Sequence, residues 1–185
     1  RVALVLGGGA FLGMAHLGAL KVFEENKIPV DLIVGTSVGS FVGAMYANNP
    51  NSDSLRNLAS KIKSEEIFNA SLFNSMVGFV TGENLQAYIK EHIKTKNIED
   101  LKIPFVAITS DLISGKTIPL SSGPIAPSVN SSCAIPMVFE PVKMYGMVLV
   151  DGGVWNNVAV DIAKSYEPDV VIAINLMSVL PSVKA

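Results

Sequence analysis

Apolar residues enter this chain in short unbroken runs that alternate with helix-spaced ones. Val2 to Leu6 is apolar throughout, Gly7-Gly8-Gly9-Ala10 follows, and Leu12 to Asn26 then offers Ala15, Leu17, Leu20, Val22 and Phe23 for packing. Asp31 to Thr36 repeats the first pattern and passes through Gly35-Thr36-Ser37-Val38-Gly39 into a helix-period run through Phe41, Val42, Ala44 and Met45. Unbroken apolar runs suit strands buried on both faces of a parallel sheet. Strand, glycine loop, helix, strand, glycine turn, helix is how a three-layer α/β/α domain with a mainly parallel central sheet begins. Both glycine turns then lie at the carboxyl ends of strands, the side on which such sheets bind ligands.

The remainder fits one domain over residues 1–185, with a helical insertion or flap at about 51–96 bounded near Ser52 and Gly82. Within it the apolar stretch from Ile67 to Val80 reads mainly as core, and Met76 to Val80 as the segment best suited to a lipid-facing flap. A strand over Ile103 to Thr109 leads through Ser114-Gly115 into a hairpin partner, Lys116 to Leu120. A helix over Ile125 to Ile135 stops at Pro136. A hairpin around Tyr145-Gly146 feeds Val148-Leu149-Val150-Asp151-Gly152-Gly153, then come a helix over Asp161 to Tyr166 and a last buried strand, Val170 to Asn175.

Composition narrows the function classes. With 49% hydrophobic and 16% charged residues, the chain needs a large core or contact with lipid. A net charge of −2, with no dense Lys/Arg cluster, argues against nucleic-acid binding. A lone cysteine, Cys133, excludes an internal disulfide and a cysteine-based zinc site, and reads as a small buried residue. Val2 to Leu20 and Leu32 to Ser52 lack charges over a membrane-spanning length, but their glycines, with Asn48, Asn49 and Pro50, fit strand, turn and helix better. With no signal peptide or transmembrane helix visible, the expected location is cytoplasmic or peripheral to a membrane.

The candidate chemistry gathers at the carboxyl ends of the strands. Ser37 sits in a Gly-x-Ser-x-Gly sequence between strand and helix, the setting of a nucleophile elbow, with N–H groups of the following helix facing the same point. A serine that merely caps that helix is the plainer reading. Gly7-Gly8-Gly9-Ala10 could bring N–H groups to an oxyanion or cradle a phosphate. No Gly-Lys-Ser/Thr follows it, and the dinucleotide fingerprint fails at Leu12 or Ala10 according to the register chosen. Only His16 and His92 are available as imidazole bases, and neither follows Asp151 as the order of an α/β-hydrolase triad requires. His16 lies in an apolar helix and suits a structural role; His92 falls on a solvated helix between Glu91 and Lys94. Asp151, ahead of Gly152-Gly153, is either a turn former or a carboxylate able to take the serine proton directly, provided burial raises its basicity. On the second reading Ser37 and Asp151 end neighbouring parallel strands.

Taken together, these stretches resemble the patatin-like phospholipase family. The resemblance runs from Val2 to about Leu176. It rests on Gly35-Thr36-Ser37-Val38-Gly39, Asp151-Gly152-Gly153, Gly13-Met14-Ala15-His16-Leu17-Gly18-Ala19-Leu20, Ser132-Cys133-Ala134-Ile135-Pro136 and the run into Asn156. It implies a lipid acyl hydrolase with Ser37 as nucleophile, Asp151 as proton acceptor and the Gly8-Gly9-Ala10 backbone as oxyanion hole. Gly7, Gly13, Gly35, Gly39, Gly152 and Gly153 are the motif glycines that shape these turns. It further implies no metal, no cofactor and a phospholipid or other acyl-lipid substrate; peripheral contact with a membrane surface is compatible with the apolar composition. The chain departs from the family pattern at Ala10, where glycine is usual and whose Cβ disfavours positive φ. Leu12 stands at a basic position, and Asn157 and Ala159 where prolines are common. An enzyme-dead lipid-binding module of the same fold and a Ser-His-Asp esterase are the competing readings.

Overall fold

The structure is a computed structural model and describes residues 1–61 and 82–177. Strand residues sort by parity onto two cores, because successive side chains of a strand point to opposite faces. Leu4 and Leu6 of β1 (Val2–Leu6), Ile33 of β2 (Leu32–Thr36) and Phe105 and Ala107 of β3 (Phe105–Asp111) face one core. Ala3, Val5, Leu32, Val34, Val106 and Ile108 face the other. The first core is closed by α1 (Met14–Glu25), α2 (Val38–Asn48), α3 (Ser52–Ala59), α4 (Glu83–His92) and α5 (Ile125–Ser132). The second lies under α6 (Val160–Lys164) and the alanines Ala159 and Ala163. The three layers expected from the sequence are therefore present, with unequal cover on the two faces.

In the sheet, β7 (Val170–Ile174), β1, β2 and β3 run parallel, while β4 (Lys116–Leu120), β5 (Val142–Met144) and β6 (Met147–Asp151) are antiparallel to their partners. One pairing decides the site. Along β3, β4 occupies one edge from Ala107 to Asp111. The opposite edge is shared end to end: β2 pairs as far as Thr36 opposite Ile108, and β6 takes over with Asp151 opposite Thr109. The carboxyl ends of β2 and β6 thus abut against a single strand. The expectation of neighbouring parallel strands needs correcting, since β6 runs antiparallel to β3.

Two further expectations shift. The helix predicted to reach Ile135 ends at Ser132, where the following residues turn so that the Ala134 carbonyl accepts the Asp151 N–H at 2.9 Å. β7, expected to be buried, is a half-exposed strand at the end of the sheet order. Asp111 closes the β3–β4 turn: its carboxylate accepts the Ser114 hydroxyl at 2.7 Å and the N–H groups of Ser114, Ile113 and Val148. These donors, the Ser114 hydroxyl first, hold it at about 2. The flap expected at Met76 to Val80, with the rest of 62–81, lies outside the described residues. Among the described residues no helix is long and apolar enough to cross a membrane.

Candidate active site

Ser37 is built as an elbow. It follows β2, precedes α2, and holds φ 54 and ψ −125, outside the regions that side chains usually occupy. Its side chain makes no capping bond to α2, so the helix-cap reading does not describe it. Room for the turn comes from Gly35 and Gly39. A Cβ on Gly39 would lie 2.0 Å from the Leu6 carbonyl oxygen, and one on Gly35 would lie 2.5 Å from that of Gly39. Strain of this kind costs on the order of 1–3 kcal/mol and persists only where neighbours over-determine it.

Those neighbours are three consecutive residues, the last of α5 and the two that follow it. The Ser37 N–H donates to Ser132 Oγ at 3.0 Å, and Ser132 in turn donates to the Ile108 carbonyl at 2.6 Å. The Cys133 thiol donates to the Ser37 carbonyl at 3.2 Å. Ala134 holds Asp151 through the backbone bond already described. One short segment therefore fixes both backbone groups of the serine and the N–H of the aspartate. Sequence reasoning quoted Ser132-Cys133-Ala134 without giving these residues a role, because their partners lie far along the chain. Ser132→Ala strands a buried N–H and a buried carbonyl and is expected to cost about 1–3 kcal/mol. Urea denaturation measures that loss, and restoration by Ser132→Thr checks that the hydroxyl is responsible.

Asp151 is 6% exposed and ends β6. Its Oδ1 accepts the Gly153 N–H at 2.7 Å, while the buried Oδ2 has no donor at hydrogen-bond geometry. Burial raises the carboxyl above its ordinary pKa; the nearby Ser37 hydroxyl and the Gly153 N–H only partly offset this. A carboxylate with an unsatisfied oxygen beside a serine is a competent proton acceptor. Gly152 permits the approach, since a Cβ there would meet the Ile108 carbonyl oxygen at 2.3 Å. Burial, aided by the charge on Asp151, raises the Cys133 thiol well above its usual range, so that it serves as a neutral donor.

The glycine loop meets the serine from the end of β1. A Cβ on Gly8 would lie 3.1 Å from Ser37 Cβ and one on Gly13 2.2 Å from Val38 Cγ2, so bare backbone is required beside the elbow. The Gly7 N–H donates to Ile174, and the Gly8 N–H donates to the Asn157 carbonyl at 3.3 Å. Among the described residues the N–H groups of Gly9 and Ala10 have no acceptor. Ala10, whose Cβ disfavours positive φ, nevertheless adopts φ 48. Asn157 is a further residue whose part was not foreseen: its Nδ2 donates to the Gly8 carbonyl at 3.3 Å, and its Oδ1 fills the space above Gly8 and Gly153. It ties the glycine loop to the aspartate turn.

Neither histidine joins the serine. His16 is fully buried, and its Nε2 donates to the Gly7 carbonyl at 2.8 Å. Burial lowers its pKa against the opposing pull of Gly7, so the neutral ring braces the glycine loop. His92, expected on a solvated face, bonds through Nδ1 to the Tyr88 carbonyl and stacks on the Tyr88 ring at 4.2 Å. No group of His, Cys, Asp and Glu able to hold a metal occurs among the described residues.

Comparison with known proteins gives the geometry its context. A family model described as patatin-like phospholipase matches residues 4–164. Lysophospholipase nte1 of Aspergillus fumigatus is 34% identical over 182 residues, which are 96% of this chain and 12% of that protein. Human patatin-like phospholipase domain-containing protein 6 is 34% identical over 183 residues, 96% of this chain and 13% of that one. The chain therefore spans about an eighth of the length of these curated relatives. Among solved structures, VipD from Legionella pneumophila superposes with a TM-score of 0.63 at 12% identity, over 84% of this chain and 46% of that one.

Proposed function

Since the chain belongs to the patatin-like phospholipase family, we propose that it hydrolyses acyl esters of phospholipids or lysophospholipids through a Ser37–Asp151 dyad and a serine acyl-enzyme. The observation that carries this reading is the buried Asp151 Oδ2, left without a donor beside a serine held in a strained elbow. Ser37 Oγ attacks the ester carbonyl as its proton passes to Asp151. Negative charge on the carbonyl oxygen is taken by the Gly9 and Ala10 N–H groups and by the first N–H groups of α2, beginning with Val38, whose helix dipole favours an anion at that point. Gly8, expected among these donors, has its N–H engaged by Asn157 and shapes the loop instead. Protonated Asp151 returns the proton to the departing alcohol. Water then enters, gives its proton to the carboxylate, attacks the acyl carbonyl and releases the fatty acid, with the proton passing back to Ser37. Every group required is in the chain, so the reading invokes no metal or cofactor.

Covalent labelling with a fluorophosphonate ester tests the proposal. Label is expected on Ser37 in the parent protein, at a sharply reduced rate in Asp151→Asn and not at all in Ser37→Ala, with fatty acid released from mixed phospholipid micelles by the parent alone. A folded protein that neither labels nor releases fatty acid, with lipid present, overturns the enzyme reading in favour of a lipid-binding module. His16→Gln combined with His92→Gln is expected to retain activity within about tenfold of the parent, because imidazole takes no part in proton transfer. Loss of labelling in that folded double variant, with Asp151→Asn still active, restores the Ser-His-Asp alternative.

A further inference from the structure

Large apolar side chains left exposed are gathered at one end of this molecule. Most of those described lie next to the glycine loop, the end of α5, the aspartate turn or the end of β7. Leu12 and Met14 follow the glycine loop at 53% and 55% exposure. Met137, at 90%, follows the Ser132–Ala134 segment; Trp155, at 56%, follows the aspartate turn; and Met177, at 61%, follows Leu176, whose side chain lies against Gly9. Met137 also holds φ 67, a left-handed conformation unfavourable for a side chain, while exposing almost all of its surface.

Charge is absent from the stretches that hold Leu12, Met14, Met137, Trp155 and Met177. Residues 2–20, 131–139, 152–160 and 170–177 contain no Asp, Glu, Lys or Arg. A rim that engaged an anionic membrane would carry lysine or arginine near the apolar residues, and most protein partners are met by a polar border. Apolar side chains without charge, placed on several loops around a buried site, match a lipid assembly of no net surface charge.

We propose that this rim docks on a zwitterionic lipid surface, with Met137 and Trp155 entering the acyl boundary, and that docking draws no help from electrostatic attraction. The inference rests on the lipid-ester reading above and adds to it the surface from which the substrate is taken. Docked in this way, Ser37 faces the bilayer between the glycine loop and the aspartate turn, and an ester need rise only as far as the rim to reach it.

Trp155 is the one tryptophan of the chain, so its emission reports on the rim itself. The experiment uses the Ser37→Ala protein, which leaves the lipid intact, titrated with phosphatidylcholine vesicles with and without phosphatidylglycerol, at low and at high salt, alongside vesicle co-sedimentation. Emission is expected to shift to the blue on pure phosphatidylcholine. The apparent affinity should change less than about twofold with salt or with the anionic lipid, since the docking stretches offer screening no charge to act on. Met137→Asp is expected to weaken binding by at least about tenfold, the scale of one exposed apolar side chain withdrawn from lipid. Absence of binding to phosphatidylcholine, binding that requires phosphatidylglycerol and fails at high salt, or unchanged binding by Met137→Asp each overturns the proposal. Self-association through the rim in place of vesicle binding does the same. The two readings fail separately: vesicle binding by Ser37→Ala without hydrolysis by the parent sinks the reaction, and hydrolysis of dispersed lipid without vesicle binding sinks the docking.

Discussion

Asp151→Asn is expected to lower ester hydrolysis by roughly 10²–10⁴-fold, the usual worth of a positioned general base, while leaving the fold as stable as the parent or more so. The two effects share one cause. Burial raises the Asp151 carboxyl above 3.8 because the ionised form loses water that its neighbours only partly replace. A carboxyl whose folded pKa is raised contributes stability that is complete below its unfolded pKa and is lost as pH rises through the folded value. At neutral pH the ionised side chain therefore works against folding, and the neutral amide removes that penalty while its Oδ1 keeps the Gly153 N–H. Catalysis by the proposed dyad needs the opposite state. Activity of the parent is expected to rise with pH through the raised value, as the base ionises. Thermal denaturation of both proteins across acidic to neutral pH, with turnover measured on the same samples, checks the trade. An Asp151→Asn protein that is clearly less stable at neutral pH, or that still turns over, is the contrary result.

Gly39→Ala is the substitution expected to damage the fold most. The added Cβ would sit 2.0 Å from the Leu6 carbonyl oxygen, 2.6 Å from its carbon and 2.8 Å from the Gly7 oxygen, all of them backbone atoms at the end of β1. No rotamer change relieves such a contact. Either α2 lifts away from the sheet or β1 moves and takes the glycine loop with it, at a cost on the order of 3 kcal/mol or more. Activity should fall further than the loss of folded protein explains, because the loop proposed to supply the oxyanion donors is the part displaced. Gly18→Ala provides the control. It lies within α1 with nothing inside 4 Å of an added Cβ, and alanine there should stabilise by about 0.5–1 kcal/mol. Urea denaturation of the two variants should place them on opposite sides of the parent; a neutral Gly39→Ala would mean that the elbow does not press on β1.

Much of this arrangement was legible in the sequence, for reasons that particular residues make plain. The two opening strands appear as apolar runs because both faces of the sheet are covered, and the elbow shows because Gly35 and Gly39 must lack side chains wherever strand, turn and helix meet so closely. The serine and the aspartate stood out as chemistry-bearing residues next to such glycines. Pairing direction did not, because alternation of side chains is the same in a parallel and an antiparallel strand. That is why the strand Val148 to Asp151 was expected to lie parallel to its neighbours. The engagement of the Gly8 N–H was hidden for another reason, since the group that takes it, Asn157, stands 149 residues away. Ser132 and Cys133 were equally silent, because a clamp on a backbone amide and carbonyl needs only a small donor or acceptor in the right place and leaves no distinctive spacing.

The shared edge of β3 makes the alignment of Ser37 and Asp151 insensitive to chain length. Ser37 is indexed by Thr36 opposite Ile108, and Asp151 by its own pairing with Thr109. No connection between them enters that offset. A surface turn such as Ser114-Gly115 could accept an inserted segment, with a closing cost that grows only logarithmically with its length, and the dyad would remain in step. A slip of β6 by a single residue along β3 would instead turn Asp151 to the opposite face, away from the serine, although every loop kept its length.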